Sequence, residues 1–415
     1  MNRDLVLLAI CQGLFLVNNV TFIAINGLVG LQLAPLGWMA TLPVTGYVVG
    51  AALSALPVAR LQARVGRKRS FQMGLIVAMF SAALCALAVT LHLFWLLVTA
   101  TLIAGFYSAN AALYRFTGPE LAAPAYRERA ISLVLAGGIA GAVIGPNLAS
   151  ISRTWFAVQY AGSYLALVGV ALLSLGVLSF IRFPAHAHVA SGAPIGRPLP
   201  QLARQPVFII AVAAAALGYG VMNLLMAATP IAMQICKHPF ESVALVLEWH
   251  VLGMFVPSFF TGRLIARFGA RRLMTAGMLC GTAGLLVLTR IDADSPYGLL
   301  LAGYLLFGIA LGLVYAPMST AAMAAMPREK VGIASGVLAM DRVLAGAVAL
   351  AATGAAFHAL LGDGHSFAAS VAGSTWVAVV LCALGTALTW SYVRDTGDSS
   401  SGEPQHRMHH RRFHL

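Results

Sequence analysis

Apolar residues run along this chain in blocks of about twenty, separated by short stretches where arginine, glycine, proline and serine collect. A helix rising 1.5 Å per residue needs roughly 20 apolar residues to cross a hydrocarbon core of about 30 Å. Twelve blocks reach that length: about 5–27, 38–59, 70–91, 94–115, 130–152, 160–182, 206–233, 243–266, 272–290, 297–318, 332–358 and 368–392. Strands of a membrane barrel would be shorter and would alternate in polarity, which excludes that architecture. The pattern predicts an all-α membrane protein of twelve transmembrane helices.

The longest internal connection, 183–205, holds four prolines and two histidines and no long apolar run. It reads as a cytoplasmic linker between a six-helix bundle at 1–182 and a second at 206–393. The tail, 394–415, is rich first in Ser and Gly and then in His and Arg, and reads as disordered. Its His406, His409, His410 and His414 read as part of a solvated basic tail rather than a metal site.

The two bundles echo each other. A shift of 203 residues carries Arg60-Leu61-x-Ala63-Arg64-x-Gly66 onto Arg263-Leu264-x-Ala266-Arg267-x-Gly269. The same shift carries Gly50 onto Gly253, Gly105 onto Gly308, and Ser132-x-Val134-Leu135-Ala136 onto Ser335-x-Val337-Leu338-Ala339. One offset at four places indicates two six-helix pseudo-repeats in parallel, the design of a transporter whose halves rock about a central site.

Composition agrees: 60% of the 415 residues are hydrophobic and 9% are charged, against about 45–50% and 25% in soluble domains. The net charge of +13 would suggest nucleic acid in a soluble protein. Here it reports topology. With the N-terminus inside, all but four of the 26 basic residues fall at inner ends and loops. Arg153, Lys237 and Arg290 fall outside, and Arg342 lies within a span. This bias places both termini in the cytoplasm of a bacterial inner membrane. The first apolar run reads as a retained span, not a signal peptide. Five scattered cysteines without C-x-x-C spacing read as packing thiols.

After the second block the chain reads Ala59-Arg-Leu-Gln-Ala-Arg-Val-Gly-Arg-Lys68. This resembles the G-x-L-A-D-R-x-G-R-K loop of the major facilitator superfamily, with Leu61, Arg64, Gly66, Arg67 and Lys68 matching. Ala59 and Ala63 replace the family's glycine and aspartate. The second copy, with Gly262, Arg267, Gly269 and Arg271, restores the first glycine but again lacks the acid. The resemblance implies the major facilitator fold and a gating latch between the halves at these loops. In the fifth span, Gly141-Ala-Val-Ile-Gly145-Pro146 resembles the G-x-x-x-G-P stretch of the family's proton-driven exporters and implies a hinge or seal there. The exporters' arginine in the fourth span is Thr101 here. Tyr114-Arg115-Phe116 is similar to a YRF stretch in a bacterial subgroup of the family.

Charges inside a membrane cost roughly 2.5–3.5 kcal/mol on insertion scales, so each asks for a reason. Asp341 lies near the middle of the eleventh span and is the first candidate for a proton-carrying group. Glu248 and His250 in the eighth span follow it. Arg342 is a candidate for tuning Asp341 or for holding an anionic solute. Asn18, Asn19, Tyr47, Tyr107, Asn110, Asn223, Tyr304 and Tyr315 are candidates for lining a central cavity. Asn26 and Asn147 belong to the same polar set. The resemblance implies that the first, fourth, seventh and tenth spans supply most solute contacts.

The chain therefore reads as a secondary transporter of a small organic solute, working by alternating access as a monomer in the lipid bilayer. Proton-coupled export by antiport is the first reading. Import or facilitated movement of a small metabolite on the same fold is the alternative. A polytopic enzyme or sensor ranks last, because no H-E-x-x-H, G-x-S-x-G or nucleotide-binding loop is present. Neither a cofactor nor a metal is called for, and no nucleic-acid partner.

Overall fold

A computed structural model describes residues 2–122, 127–183, 237–268, 270–290 and 297–324, with scattered helical positions between 221 and 234 and between 373 and 387. The first half comprises α1 (Arg3–Leu33), α2 (Leu42–Val65), α3 (Arg67–Thr90), α4 (Phe94–Ala111), α5 (Tyr114–Leu121), α6 (Arg127–Ser152) and α7 (Ala161–Ser179). The second half contributes α8 (Phe240–Phe255), α9 (Ser258–Phe268), α10 (Ala270–Leu288) and α11 (Tyr297–Ala324). Among the described residues there is no strand, and eight helical stretches are long and apolar enough to cross a membrane. A ninth, Arg272–Leu288, is apolar but shorter. The seventh, eleventh and twelfth spans fall largely or wholly outside the described residues, as do Asp341, Arg342 and the second repeat locus at 335–339.

Local chemistry sets the helix ends. The Asn2 side chain accepts the Asp4 amide and caps α1, whose last carbonyls give way to Pro35. Gly66 closes α2 and opens α3 at φ 88° and ψ 164°, a conformation that a side chain at Cα disfavours strongly. The fourth span breaks at Ala112–Leu113 and resumes as α5 to Leu121, beyond the end near 115 that hydropathy predicts. The eighth span breaks at Val256–Pro257, where proline cannot donate to the helix ladder.

Packing shows which faces meet lipid. On α3, Met73, Ile76, Phe80 and Leu87 form one stripe at intervals of three, four and seven, and all are exposed. In water such a stripe would be an aggregation hazard; in hydrocarbon it is the solvent-facing surface. The opposite face, with Phe71, Leu75, Ala78 and Ala82, is buried. One core cluster runs through both halves, and a second fills the first half around Leu8, Phe15, Phe71 and Tyr107.

The internal repeat has a structural counterpart. α2 crosses α4 where Gly50 meets Gly105, and a methyl on either would overlap the other helix's backbone at Leu102 or Gly50. In the second half α8 crosses α11 where Gly253 meets Gly308, with the His250 carbonyl against Gly308. The pairs are related by the same 203-residue shift. Residue 269, the counterpart of Gly66, falls between α9 and α10.

Replacing Gly105 or Gly308 with valine should therefore lower stability by about 1–3 kcal/mol each, through overpacking of a backbone contact. Gly169 on α7 has nothing within 4 Å of where a Cβ would lie. Gly169→Ala should be neutral or slightly stabilising. Melting temperatures of the purified protein in detergent check the contrast.

Candidate functional site

The chemistry-bearing side chains gather at three levels: the end of the bundle that carries the basic loops, the middle, and the far end.

At the basic end, the turn at Gly66 places Arg67 against Glu120 on α5. Arg67 Nε donates to Glu120 Oε2 at 3.1 Å and Nη2 to Oε1 at 2.5 Å. Its Nη1 donates to Gln62 Oε1 at 2.6 Å. This two-pronged pairing suits the flat guanidinium, which a lysine could not reproduce. Lys68 Nζ donates to the carbonyls of Ser179 and Ile181 at 2.7 and 3.0 Å, a cation at the C-terminal end of α7. The Arg182 amide donates to Asp4 Oδ1, and Asn2 Nδ2 donates to the Leu121 carbonyl. All these contacts lie inside the first half. The carboxylate that meets Arg67 is Glu120, in the same half, and not a residue at position 63, which is alanine. Leu61 is half-buried and Arg64 exposed. In the second loop the Arg267 guanidinium lies over the Phe268 ring, 5.3 Å from its centroid. Gly262 and Arg271 are placed as helical backbone, and Gly269 lies outside the described residues.

In the middle, α1 carries Gln12, Phe15, Asn19, Phe22 and Asn26 at intervals of three and four, so they share one face. Tyrosines from three other helices meet that face. Tyr107 of α4 packs edge-on to Phe15, with centroids 5.6 Å apart. Tyr47 of α2 donates to Asn19 Oδ1 at 2.7 Å and lies 4.9 Å from the Phe22 ring. Tyr164 of α7 donates to Asn26 Oδ1 at 2.6 Å, and its ring is 6.1 Å from Phe22. Amide and aromatic groups thus alternate along the helix. Asn18, one position off this face, is buried. Asn110 is also buried; it accepts from Ser70 Oγ at 2.8 Å and donates to the Phe106 carbonyl, which ties α3 to α4.

His250 sits wholly buried between α8 and α11. Its Nδ1 is 3.1 Å from the Tyr304 carbonyl, and its ring stacks on Phe307. A carbonyl partner makes Nδ1 the protonated nitrogen, and Nε2 has no hydrogen-bond partner among the described residues. Tyr304 Oη donates to the Leu225 carbonyl. Asn223 and the Tyr315 side chain lie outside the described residues.

At the far end α6 meets α8. Asn147 Nδ2 donates to Glu248 Oε2 at 3.0 Å, and Arg153 pairs with Glu241 at 2.9 Å. The other face of α6 is glycine-lined. Gly137, Gly141 and Gly145 lie against Ala9, Gly13 and Val17 of α1, and Thr21 Oγ1 donates to the Gly145 carbonyl at 2.8 Å beside Pro146. The G-x-x-x-G-P stretch is therefore a contact within one half, which brings two backbones close.

The Major Facilitator Superfamily family model matches residues 5–350, and again 243–413. The chain belongs to the major facilitator superfamily. It is 35% identical over 302 residues to the riboflavin transporter RfnT of Brucella anthropi, covering 72% of this chain and 76% of the relative. It is 29% identical over 163 residues to the riboflavin transporter RibZ of Clostridioides difficile, covering 38% and 36%. The structure of a D-xylose-proton symporter superposes with a TM-score of 0.74 at 16% identity, covering 94% of this chain and 97% of the other. As a superfamily member the chain is a membrane transporter of small solutes, not an enzyme.

Sequence reading missed Phe15, Phe22, Tyr164, Gln62 and Glu120 as partners of its candidates. The α1 alternation was legible in its three-and-four spacing; the Arg67–Glu120 pair was not. Asn110→Ala should cost about 1–2 kcal/mol by stranding the Ser70 hydroxyl, with solute affinity unchanged. Thermal unfolding alongside a binding titration checks both halves of that statement.

Proposed function

We propose that this transporter carries a flavin-class solute, a planar heteroaromatic ring bearing a polyhydroxyl chain, and moves it inward across a bacterial inner membrane. The observation that carries this reading is the 35% identity to a riboflavin transporter across most of both chains. The middle level supports it. A flat, uncharged ring with donor and acceptor edges suits alternating tyrosine, phenylalanine and amide groups. The interiors of α1, α4 and α11 carry no charged residue, which fits a neutral solute. Asn18, Asn19, Tyr47 and Tyr107 are the lining residues proposed from the first half, and Tyr304 and Tyr315 those from the second.

Export by proton antiport is the second reading, and the exporter-like Gly141-x-x-x-Gly145-Pro146 stretch favours it. Under either direction Asp341 is the first proton carrier proposed from sequence, with Glu248 and His250 next and Arg342 beside Asp341. Both termini are proposed to face the cytoplasm, with the chain working as a monomer.

Purified protein should quench flavin fluorescence on titration with riboflavin, and Asn19→Ala should weaken binding by about tenfold, the loss of one to two hydrogen bonds. Right-side-out vesicles should accumulate labelled riboflavin. If an imposed proton gradient raises the rate, Asp341→Asn should abolish the increase and leave binding intact. No quench and no uptake would overturn the flavin reading. Gradient-driven accumulation in inverted vesicles would establish antiport.

A further inference from the structure

The two halves treat one repeated position differently. The 203-residue shift carries Tyr47 onto His250 and Asn19 onto Met222. In the first half the ring on α2 finds its polar partner inside the protein, where Tyr47 Oη donates to Asn19 Oδ1 at 2.7 Å. In the second half the place of that amide is taken by Met222, a buried thioether with no proton to give. His250 is wholly buried, and its Nδ1 lies 3.1 Å from the Tyr304 carbonyl. That carbonyl only accepts, so Nδ1 carries the proton of the neutral ring and Nε2, at the distal edge, is an acceptor. Nε2 has no hydrogen-bond partner among the described residues and is shielded from water. The neighbouring Tyr304 hydroxyl is committed elsewhere, donating to the Leu225 carbonyl at 3.1 Å. The imidazole plane is fixed from two sides. Phe307 stacks on it at an interplanar angle of 9° with centroids 5.8 Å apart, and Tyr304 packs edge-on at 5.7 Å. A fixed plane also fixes the line along which the Nε2 lone pair points.

We propose, resting on the flavin reading, that His250 Nε2 is the acceptor that selects the solute: it takes a hydrogen bond from the imide N–H set between two ring carbonyls of a flavin-class molecule. A buried acceptor without a protein donor is rare in folded proteins and asks for a partner from outside. Most hydrogen bonds from a protein to a solute replace one the protein made to water, which cancels much of the gain. Water does not reach Nε2 in this structure, so a donor that arrives with the solute displaces nothing on the protein side. An analogue without that donor leaves the nitrogen unpaired in the complex, and a site of this kind rejects it strongly. The nitrogen is covered here, so the bond forms when the bundle opens around a solute. A hydroxyl on a flexible chain also donates, but a rigid ring presents its N–H in one plane, and one plane is what the imidazole, held parallel to Phe307, matches. The role needs the neutral ring and no proton exchange.

The test titrates the full-length protein with riboflavin and with 3-methylriboflavin, in which a methyl replaces the imide hydrogen. The parent should bind riboflavin at least about tenfold more tightly, the preference set by one buried hydrogen bond. His250→Phe keeps a flat ring beside Phe307 and removes the acceptor, so it should bind the two flavins alike. His250→Gln, which carries an amide oxygen near the Nε2 position, should restore most of the preference. A merely structural role for His250 would lower both affinities together and leave their ratio unchanged. Should His250→Phe fail to fold, His250→Asn takes its place, since its amide satisfies the Tyr304 carbonyl and ends short of Nε2. A parent that binds both flavins equally, or an acceptor-free variant that keeps the parental ratio, would overturn this assignment and leave the flavin reading standing. A parent that binds neither flavin would remove the flavin reading and this assignment with it.

Discussion

Lipid is as apolar as the side chains it surrounds, so burying leucine between two membrane helices gains little that lipid contact would not give. What holds such helices together is atomic contact and hydrogen bonding. The whole architecture rests on that constraint, and it shows at the crossings. Gly50 against Gly105, Gly253 against Gly308, and Gly137 and Gly141 against the α1 backbone all bring main chains closer than any side chain permits. The exposed stripe of Met73, Ile76, Phe80 and Leu87 on α3 contributes nothing to these contacts; it only makes the bundle soluble in hydrocarbon.

The duplicated crossings explain how one scaffold carries a single asymmetric site. The 203-residue shift preserves the glycines and changes the groups beside them. Tyr47, bonded to Asn19, corresponds to His250, which is buried with Nδ1 on the Tyr304 carbonyl. Thr101, bonded within its own helix to the Val98 carbonyl, corresponds to Tyr304. A crossing tolerates no added methyl, whereas the neighbouring position one turn away tolerates tyrosine or imidazole. The glycine crossings are therefore kept in both halves while the positions one turn away from them differ.

Span lengths were legible because membrane thickness imposes them directly on the sequence, and the glycine pairs because a constant offset survives in an Ala- and Leu-rich background. The carboxylate that meets Arg67 was not legible. Hydropathy ends the fourth span near 115, while the chain breaks at Ala112–Leu113 and continues helically to Leu121, which carries Glu120 under the Gly66 turn. Asn110 has the same sequence signature whether it faces a cavity or, as here, the Ser70 hydroxyl of the next helix. Arg153 and Glu241 read locally as charges that end a span. Their pairing comes from the docking of one half on the other, and nothing within either half encodes it.

The two ends of the molecule consequently do different work with similar bonds. At the basic end Arg67, Lys68, Asp4 and Asn2 bind partners within the first half and join the tips of α1, α3, α5 and α7. Such bonds stiffen a body without restricting its motion relative to its neighbour. At the far end Asn147, Ser150 and Arg153 cross to the second half. Bonds of that kind add little to either half's rigidity; they join one half to the other at that end. A transporter that rocks needs the first kind of bond to survive every cycle and the second to break in each one. Buried main-chain contact and the brace at the basic end are bonds of the first kind, and the hydrogen bonds from Asn147, Ser150 and Arg153 to α8, exposed to solvent, are the ones that water can replace.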